Sequence, residues 1–200
     1  MEMVWLVEEL ESYSLNSCLN MRVLEIIKYY YYKMFKPEFF SGCKHGKNFR
    51  SNSLIDGLFP QLIEIGDNFI SAPGSRILSH DASLLHHIGK MRAEKTIIGN
   101  NVFLGADSLI MPGVVIGNNV IIGAGSIVTK DIEDNSVVAG NPAKYICSVQ
   151  EYIERCKHKQ CLYDLSTSFK DAICNSKPVT IDITQSLRDT VYSQNNKFFQ

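Results

Sequence analysis

No apolar run in this 200-residue chain approaches the ~20 residues that a membrane-spanning helix needs. Neither sign of charge dominates: 20 Lys and Arg stand against 21 Asp and Glu, for a net charge of −1. A nucleic-acid partner usually shows as a basic patch or stripe, and the balance of charge argues against one. The N-terminal stretch MEMVWLVEEL is acidic and lacks the basic start of a secretion signal. These absences lead us to expect a soluble, cytoplasmic protein with no transmembrane segment and no nucleic-acid partner. The six cysteines, Cys18, Cys43, Cys147, Cys156, Cys161 and Cys174, contain no CxxC pair. Cys156, His158 and Cys161 crowd together, but no second half of a zinc site stands elsewhere. Free thiols in a reducing compartment and no bound metal are the expectation.

What the chain does contain is a repeat. From Ile98 to Glu133 the sequence reads IGNNVFLGADSLIMPGVVIGNNVIIGAGSIVTKDIE, and it stacks on itself every six residues. Ile98, Leu104, Ile110, Ile116, Ile122 and Val128 form one column; Gly99, Gly105, Met111, Gly117, Gly123 and Thr129 form the next. Val102, Ser108, Val114, Val120, Ser126 and Ile132 form a third. This is neither the period of an amphipathic helix nor plain strand alternation. It is a short-period solenoid of the parallel β-helix kind. A six-residue unit holds one short strand and a turn, so three units make a triangular coil. Successive coils then lie roughly 4.8 Å apart, the ordinary strand spacing. The aliphatic column points inward, and the glycines beside it are expected to allow corner angles that a side chain forbids. Asn100, Asn101, Asn118 and Asn119 suit turns, because Asn tolerates left-handed angles.

The repeat can be followed upstream through degenerate units at 39–43, 45–49 and 51–55, then at 65–69 and 71–75. Between Gly57 and Glu64 eight residues replace six, which predicts a small bulge near Leu58-Phe59-Pro60. A larger break follows. The coil starting at Ile65 is due to hand over at position 83, yet the next clean start is Ile98, fifteen residues late. Residues 84–95, LLHHIGKMRAEK, are therefore expected as a loop extruded from the solenoid. Function concentrates on loops held by rigid scaffolds.

Flanking the repeat, Leu19, Val23, Ile26, Ile27, Tyr30 and Met34 fit one helical face, with Ser17 as cap and Pro37 as stop. Asn141-Pro142-Ala143-Lys144 ends the solenoid, because proline cannot continue the ladder. Val149, Tyr152, Ile153 and Cys156 predict a second helix, and Val179, Ile181 and Ile183 alternate like a strand. The expected organisation is an N-terminal helical region over 1–38, a β-helix over 39–146 and a helical or irregular extension over 147–200.

Three of the five histidines lie between positions 80 and 87. His80 stands at the base of the extruded loop, with His86 and His87 inside it. Histidine can take a proton from a hydroxyl near neutral pH, and such help is typically worth ~10²–10⁴ in rate. Asp81 is a weak candidate for orienting the ring, because neighbours on a strand point to opposite faces.

The segment IIGNNVFLGADSLIMPGVVIGNNVIIGAGSIVTKDIEDNSVVAGNPAK resembles the signature of the hexapeptide-repeat acyltransferases. IEIGDNFISAPGSRILSHDASLLHH resembles the coil and loop that carry the histidine of the maltose, galactoside and polysaccharide O-acetyltransferase branch. The match runs from about Lys44 to Ile146. It implies a left-handed parallel β-helix, a homotrimer with active sites between subunits, acetyl-CoA as donor and a sugar hydroxyl as acceptor. On this resemblance His80 is the general base in a direct transfer, and Asn52 helps to position the acceptor. Ala106 and Ala124 line the pantetheine groove. Thr129 and Lys130 meet the donor, and Lys144 lies near the CoA phosphates. Phe103 stands where many members have Trp beside the active site, and the fifty or so residues after Tyr145 exceed the usual C-terminus.

The same resemblance leaves other readings open. N-acylation of an amino-sugar nucleotide usually brings a separate nucleotide-binding region, which residues 1–36 do not show. Antibiotic acetylation belongs to the same group. A zinc hydratase on this solenoid needs three converging histidines, and Ile98–Glu133 contains none. A non-catalytic scaffold is opposed by His80, Asn52, Lys130 and Lys144 all being present.

Overall fold

The computed structural model describes residues 42–174 and, beyond them, positions 184, 185, 189 and 191. All of these except Gly42 belong to the unit that begins at Cys43. The helix expected over Leu19–Met34 and the strand expected around Val179–Ile183 lie outside the described residues.

Alternation along very short strands builds the core. In Val102–Leu104 the two ends point inward and are buried, while Phe103 between them points out. The same rule buries the whole column Ile98, Leu104, Ile110, Ile116, Ile122 and Val128, and with it Val102, Ser108, Val114, Val120 and Ser126. Each fully buried aliphatic side chain contributes about 1.5–3 kcal/mol.

Strands stack into three parallel faces. Face I carries β1 (Lys44–His45), β3 (Ile63–Ile65), β8 (Thr96–Ile98) and β11 (Val115–Ile116). Face II carries β4 (Ile70–Ser71), β9 (Val102–Leu104), β12 (Val120–Ile122) and β14 (Ser136–Ala139). Face III carries β2 (Leu54–Ile55), β5 (Arg76–Ile77), β10 (Leu109–Ile110) and β13 (Ile127–Val128). In the clean repeat the register is eighteen residues: Ile98 pairs with Ile116, Leu104 with Ile122 and Ile110 with Val128.

Two insertions lengthen that register, and both fall on the corner between faces III and I. Ile65 pairs with Ile98 and Ile77 with Ile110, thirty-three residues apart, so the fifteen extra residues leave the coil after β5. They are not an irregular loop. β6 (His80–Asp81) and β7 (Arg92–Ala93) form an antiparallel stem, and α1 (Leu85–Ile88) makes one helical turn at its tip. In the first coil Ile55 pairs with Ile77, twenty-two residues away, whereas His45 pairs with Ile65, twenty away. The predicted two-residue surplus is thus a net value. The turn before β2 is shortened by two, and the next corner is lengthened by four around a 3₁₀ turn at Pro60–Leu62.

The corner between faces I and II is regular. Asn48, Asn68, Asn101, Asn119 and Asn135 all have positive φ, between 53° and 59°. Their amides form a ladder, each Nδ2 donating to the next Oδ1 at 2.7, 2.7, 2.9 and 3.0 Å. A second row runs beside it: Oδ1 of Asp67, Asn100, Asn118 and Asp134 accepts the backbone N–H of Lys47, Asp67, Asn100 and Asn118. The corner glycines play a different part from the one expected. Gly99 does not take a positive φ; a Cβ there would lie 2.6 Å from the Gly117 carbonyl oxygen of the next coil. It is required by close approach of the coils, and the left-handed angle falls on Asn101.

The last coil shortens to sixteen residues, Ile122 pairing with Val138. The chain then reverses through the cis Asn141–Pro142 bond, and β15 (Lys144–Ser148) runs antiparallel to β14. Strand structure continues in this reversed segment through Ser148. The predicted second helix, α2 (Val149–His158), follows at once, started by a capping box in which Ser148 and Glu151 exchange hydrogen bonds. A further helix, α3, spans Thr167–Cys174. Cys43, Cys147, Cys156 and Cys161 are free thiols.

Candidate active site at the interrupted corner

The two interruptions occupy the same corner in adjacent coils, and they bring Asp56 beside His80. Asp56 follows β2, and His80 opens the hairpin stem two residues after β5 and Leu78. The Asp56 carboxylate is buried, with its side chain 1% exposed. Its Oδ1 accepts the backbone N–H of Leu58 at 3.0 Å and of Phe59 at 3.3 Å. Its Oδ2 accepts the backbone N–H of Ser79 at 2.9 Å and of His80 at 3.1 Å, and meets His80 Nδ1 at 2.5 Å. The Ser79 hydroxyl sits between that oxygen, at 3.0 Å, and the Phe59 carbonyl, at 2.9 Å. Burial alone would raise the Asp56 pKa. The hydrogen bonds from Ser79, the His80 ring, Leu58 and Phe59 outweigh it and lower the value from 3.8 to about 2. The carboxylate is therefore ionised at neutral pH and is placed to accept a proton carried on His80 Nδ1. With Nδ1 so engaged, Nε2 is the ring nitrogen left to act on a substrate, and the described residues supply no partner for it. The ring is a quarter exposed, and Phe59 meets it edge-on at 5.4 Å with an interplanar angle of 78°.

Sequence reasoning missed Asp56. Asp81, weighed there as an orienting group, instead accepts from Ser83 N–H at 2.7 Å and lies 3.9 Å from Arg92. The signal available was positional: Asp56 is the only acid between Ser51 and Leu62, at the threshold of the insert. His86 and His87 sit on α1 with no part in the pair.

The remaining candidates separate by corner. Asn52, Ala106 and Ala124 lie along the corner between faces II and III, and Lys144 follows the last turn of that corner. Asn52 donates its side-chain Nδ2 to the Ser71 carbonyl at 2.9 Å and its backbone N–H to Ser71 Oγ at 2.8 Å, so it braces the next coil. The Ala106 carbonyl accepts from Gly125 N–H beside Ala124 at 2.8 Å. Thr129 and Lys130, both exposed, share the corner of His80 but lie two coils on, roughly 10 Å along the axis at the ordinary strand spacing. Phe103 lies on the outside of face II between Ile70 and Ile121, the face opposite that corner. One chain thus brings Asp56, His80 and Phe59 together. It holds Asn52, Ala106, Ala124 and Lys144 one face away, and Phe103 on the opposite side. Among the described residues no group of three or more His, Cys, Asp or Glu side chains converges to hold a metal. No helix among them is long and apolar enough to cross a membrane.

Residues 95–130 match the family model described as bacterial transferase hexapeptide (six repeats). Those residues carry the hexapeptide repeat of bacterial transferases, and the coil they belong to is a left-handed parallel β-helix. Protein CapG of Staphylococcus aureus is 48% identical over 100 residues, which cover 48% of this chain and 58% of CapG. The galactoside O-acetyltransferase of Escherichia coli (strain K12) is 43% identical over 117 residues, 56% of each chain. A solved galactoside acetyltransferase in complex with coenzyme A superimposes with a TM-score of 0.51 at 36% identity, over 64% of this chain and 62% of that one. The chain spans a little over half the length of the curated relatives it matches.

Proposed function

We propose that the protein transfers the acetyl group of acetyl-CoA to a hydroxyl of a sugar. The observation that carries this reading is the Asp56–His80 pair, with Nδ1 engaged and Nε2 without a partner among the described residues, at the corner that carries both insertions. Nε2 takes the proton of the acceptor hydroxyl as its oxygen attacks the thioester carbonyl. The buried Asp56 carboxylate stabilises the imidazolium that forms. Collapse of the tetrahedral intermediate breaks the C–S bond, and the Nε2 proton passes to the CoA sulfur. No acyl-enzyme is formed.

In this reading Ala106 and Ala124 flank the donor's pantetheine arm, and Lys144 meets its phosphates, a fitting partner for an anion. Thr129 and Lys130 approach the donor from the His80 corner. Asn52 and Phe103 line the acceptor side. Because face III separates the two corners within one chain, the donor ridge of one copy completes the His80 site of another. The homotrimer, with its sites between subunits, is thus part of the proposal, as is a cytoplasmic location. The names of the relatives support a sugar acceptor: the galactoside O-acetyltransferase and the CoA-bound galactoside acetyltransferase both carry one in their names. An acceptor screen with acetyl-CoA tests the reading, scoring free-thiol release across sugars, nucleotide sugars, oligosaccharides and amine acceptors. Thiol release with a hydroxyl acceptor, lost in His80→Ala, is the expected result. Release with amine acceptors alone, or full activity in His80→Ala, overturns it.

A further inference from the structure

The corner that holds His80 has a second distinguishing feature: the shorter of its two inserts is apolar. Residues 57–62 read Gly-Leu-Phe-Pro-Gln-Leu, whereas the same corner three coils later reads Thr129-Lys130-Asp131. The apolar side chains Leu58 and Phe59 do not join the buried core. Leu58 is 57% exposed and Phe59 is half-buried. They are nonetheless held firmly. The Phe59 N–H donates to Asp56 Oδ1, and its carbonyl accepts from the Ser79 hydroxyl. Pro60 then starts the 3₁₀ turn, closed by Ile63 N–H on the Pro60 carbonyl. One carboxylate therefore clamps two things at once: Oδ2 holds the His80 ring and Oδ1 holds the Phe59 backbone. The consequence is a rigid aromatic wall, edge-on at 5.4 Å to the imidazole, beside a base whose other nitrogen is open.

A ring fixed half-exposed beside the open nitrogen offers a bound ligand an apolar wall. Small-molecule sites combine apolar walls with a few placed polar groups. A hydroxyl on a pyranose ring fits that combination, because the carbon atoms flanking it present C–H groups while the hydroxyl itself meets the base. We infer that Phe59, with Leu58 at its margin, is the acceptor-selecting wall of the site and takes pyranosides that present an apolar C–H face next to the acetylated hydroxyl. The inference rests on the acyl-transfer reading above and names the acceptor side of that same site. Phe59 acts through contact with the acceptor, not through the chemistry of proton transfer.

The test takes the pyranoside that gives the highest His80-dependent thiol release in wild-type protein and measures full kinetics for Phe59→Ala, Phe59→Leu and Phe59→Trp. Thermal melts verify that each variant is folded. For Phe59→Ala the acceptor KM is expected to rise about tenfold or more while kcat changes less than about twofold, the signature of lost binding rather than lost chemistry. The KM for acetyl-CoA and the pH profile of kcat stay as in wild type. Phe59→Leu shows a smaller rise, and Phe59→Trp keeps the acceptor KM near wild type because a ring is retained. An unchanged acceptor KM in Phe59→Ala overturns the inference and leaves acyl transfer standing. A fall in kcat with a shifted pH profile also overturns it, making Phe59 a prop for the imidazole. Absence of His80-dependent release with every pyranoside removes the acyl-transfer reading itself, and the wall with it.

Discussion

Two corners of the same coil can be set side by side. Between faces I and II, five asparagines occupy equivalent positions and bond each to the next. Between faces III and I, the equivalent positions of the first two coils hold a buried carboxylate, a histidine and two insertions. A solenoid satisfies each coil with the one above it, so identical groups make a scaffold: every donor finds the same acceptor one coil on. Proton transfer needs unlike groups, an acceptor of protons and an anion to hold it. Such a pair arises only where the stacking of like on like is interrupted.

The sharpest way to break the comparison is His80→Ala. Turnover should fall by ~10²–10⁴, with the melting temperature nearly unchanged, because the ring is partly exposed and outside the core. Thiol-release kinetics beside a thermal melt report both. Asp56→Asn comes next. An amide can no longer act as anion to the imidazolium, so turnover should fall by roughly 10² even where the fold survives. Wild-type rates in that variant would show that the buried charge has no part in the chemistry.

Acid stability probes the same carboxylate from the folding side. The Asp56 pKa is about 2 in the fold against 3.8 as the ordinary value. A depressed carboxyl contributes its stability fully above the unfolded value and loses it as pH falls through the folded one. Urea unfolding should therefore show a loss of about 2 kcal/mol between pH ~4 and pH ~2, and Asp56→Asn should lack that part of the slope. The smallest effect belongs to the regular corner. Asn101→Ala interrupts the amide ladder and puts alanine at φ 56°. It should cost about 1–2 kcal/mol while the activity per folded molecule stays at the wild-type level. A large loss of turnover there would erase the distinction between the two corners.

Much of this was legible in the chain. The inward column from Ile98 to Val128, the eighteen-residue coil, the fifteen-residue break and the helix starting at Val149 can all be read from spacing, because a core position recurs wherever the coil returns. His80 was legible as the histidine at the break. The stem β6–β7 was not, since strands of two residues carry no period. The role of Gly99 was misread, because a close approach between coils and a special backbone angle both select glycine, and sequence alone does not separate them. Asp56 escaped because its partner is decided by insert lengths on two different coils, and the net surplus of two conceals a deletion and a longer insertion.

What the sequence by itself determined is the solenoid: a six-residue apolar period buries its side chains by coiling, and the recurring asparagines mark the left-handed turn between faces I and II. What only the tertiary structure decided is which side chains meet across coils. Asp56 and His80 are 24 residues apart, and neither an eighteen-residue nor a twenty-residue coil pairs them. They meet because the corner insert and the extruded hairpin leave the solenoid at the same edge, one coil apart, where a buried carboxylate can turn its two oxygens to the backbone on one side and to an imidazole on the other.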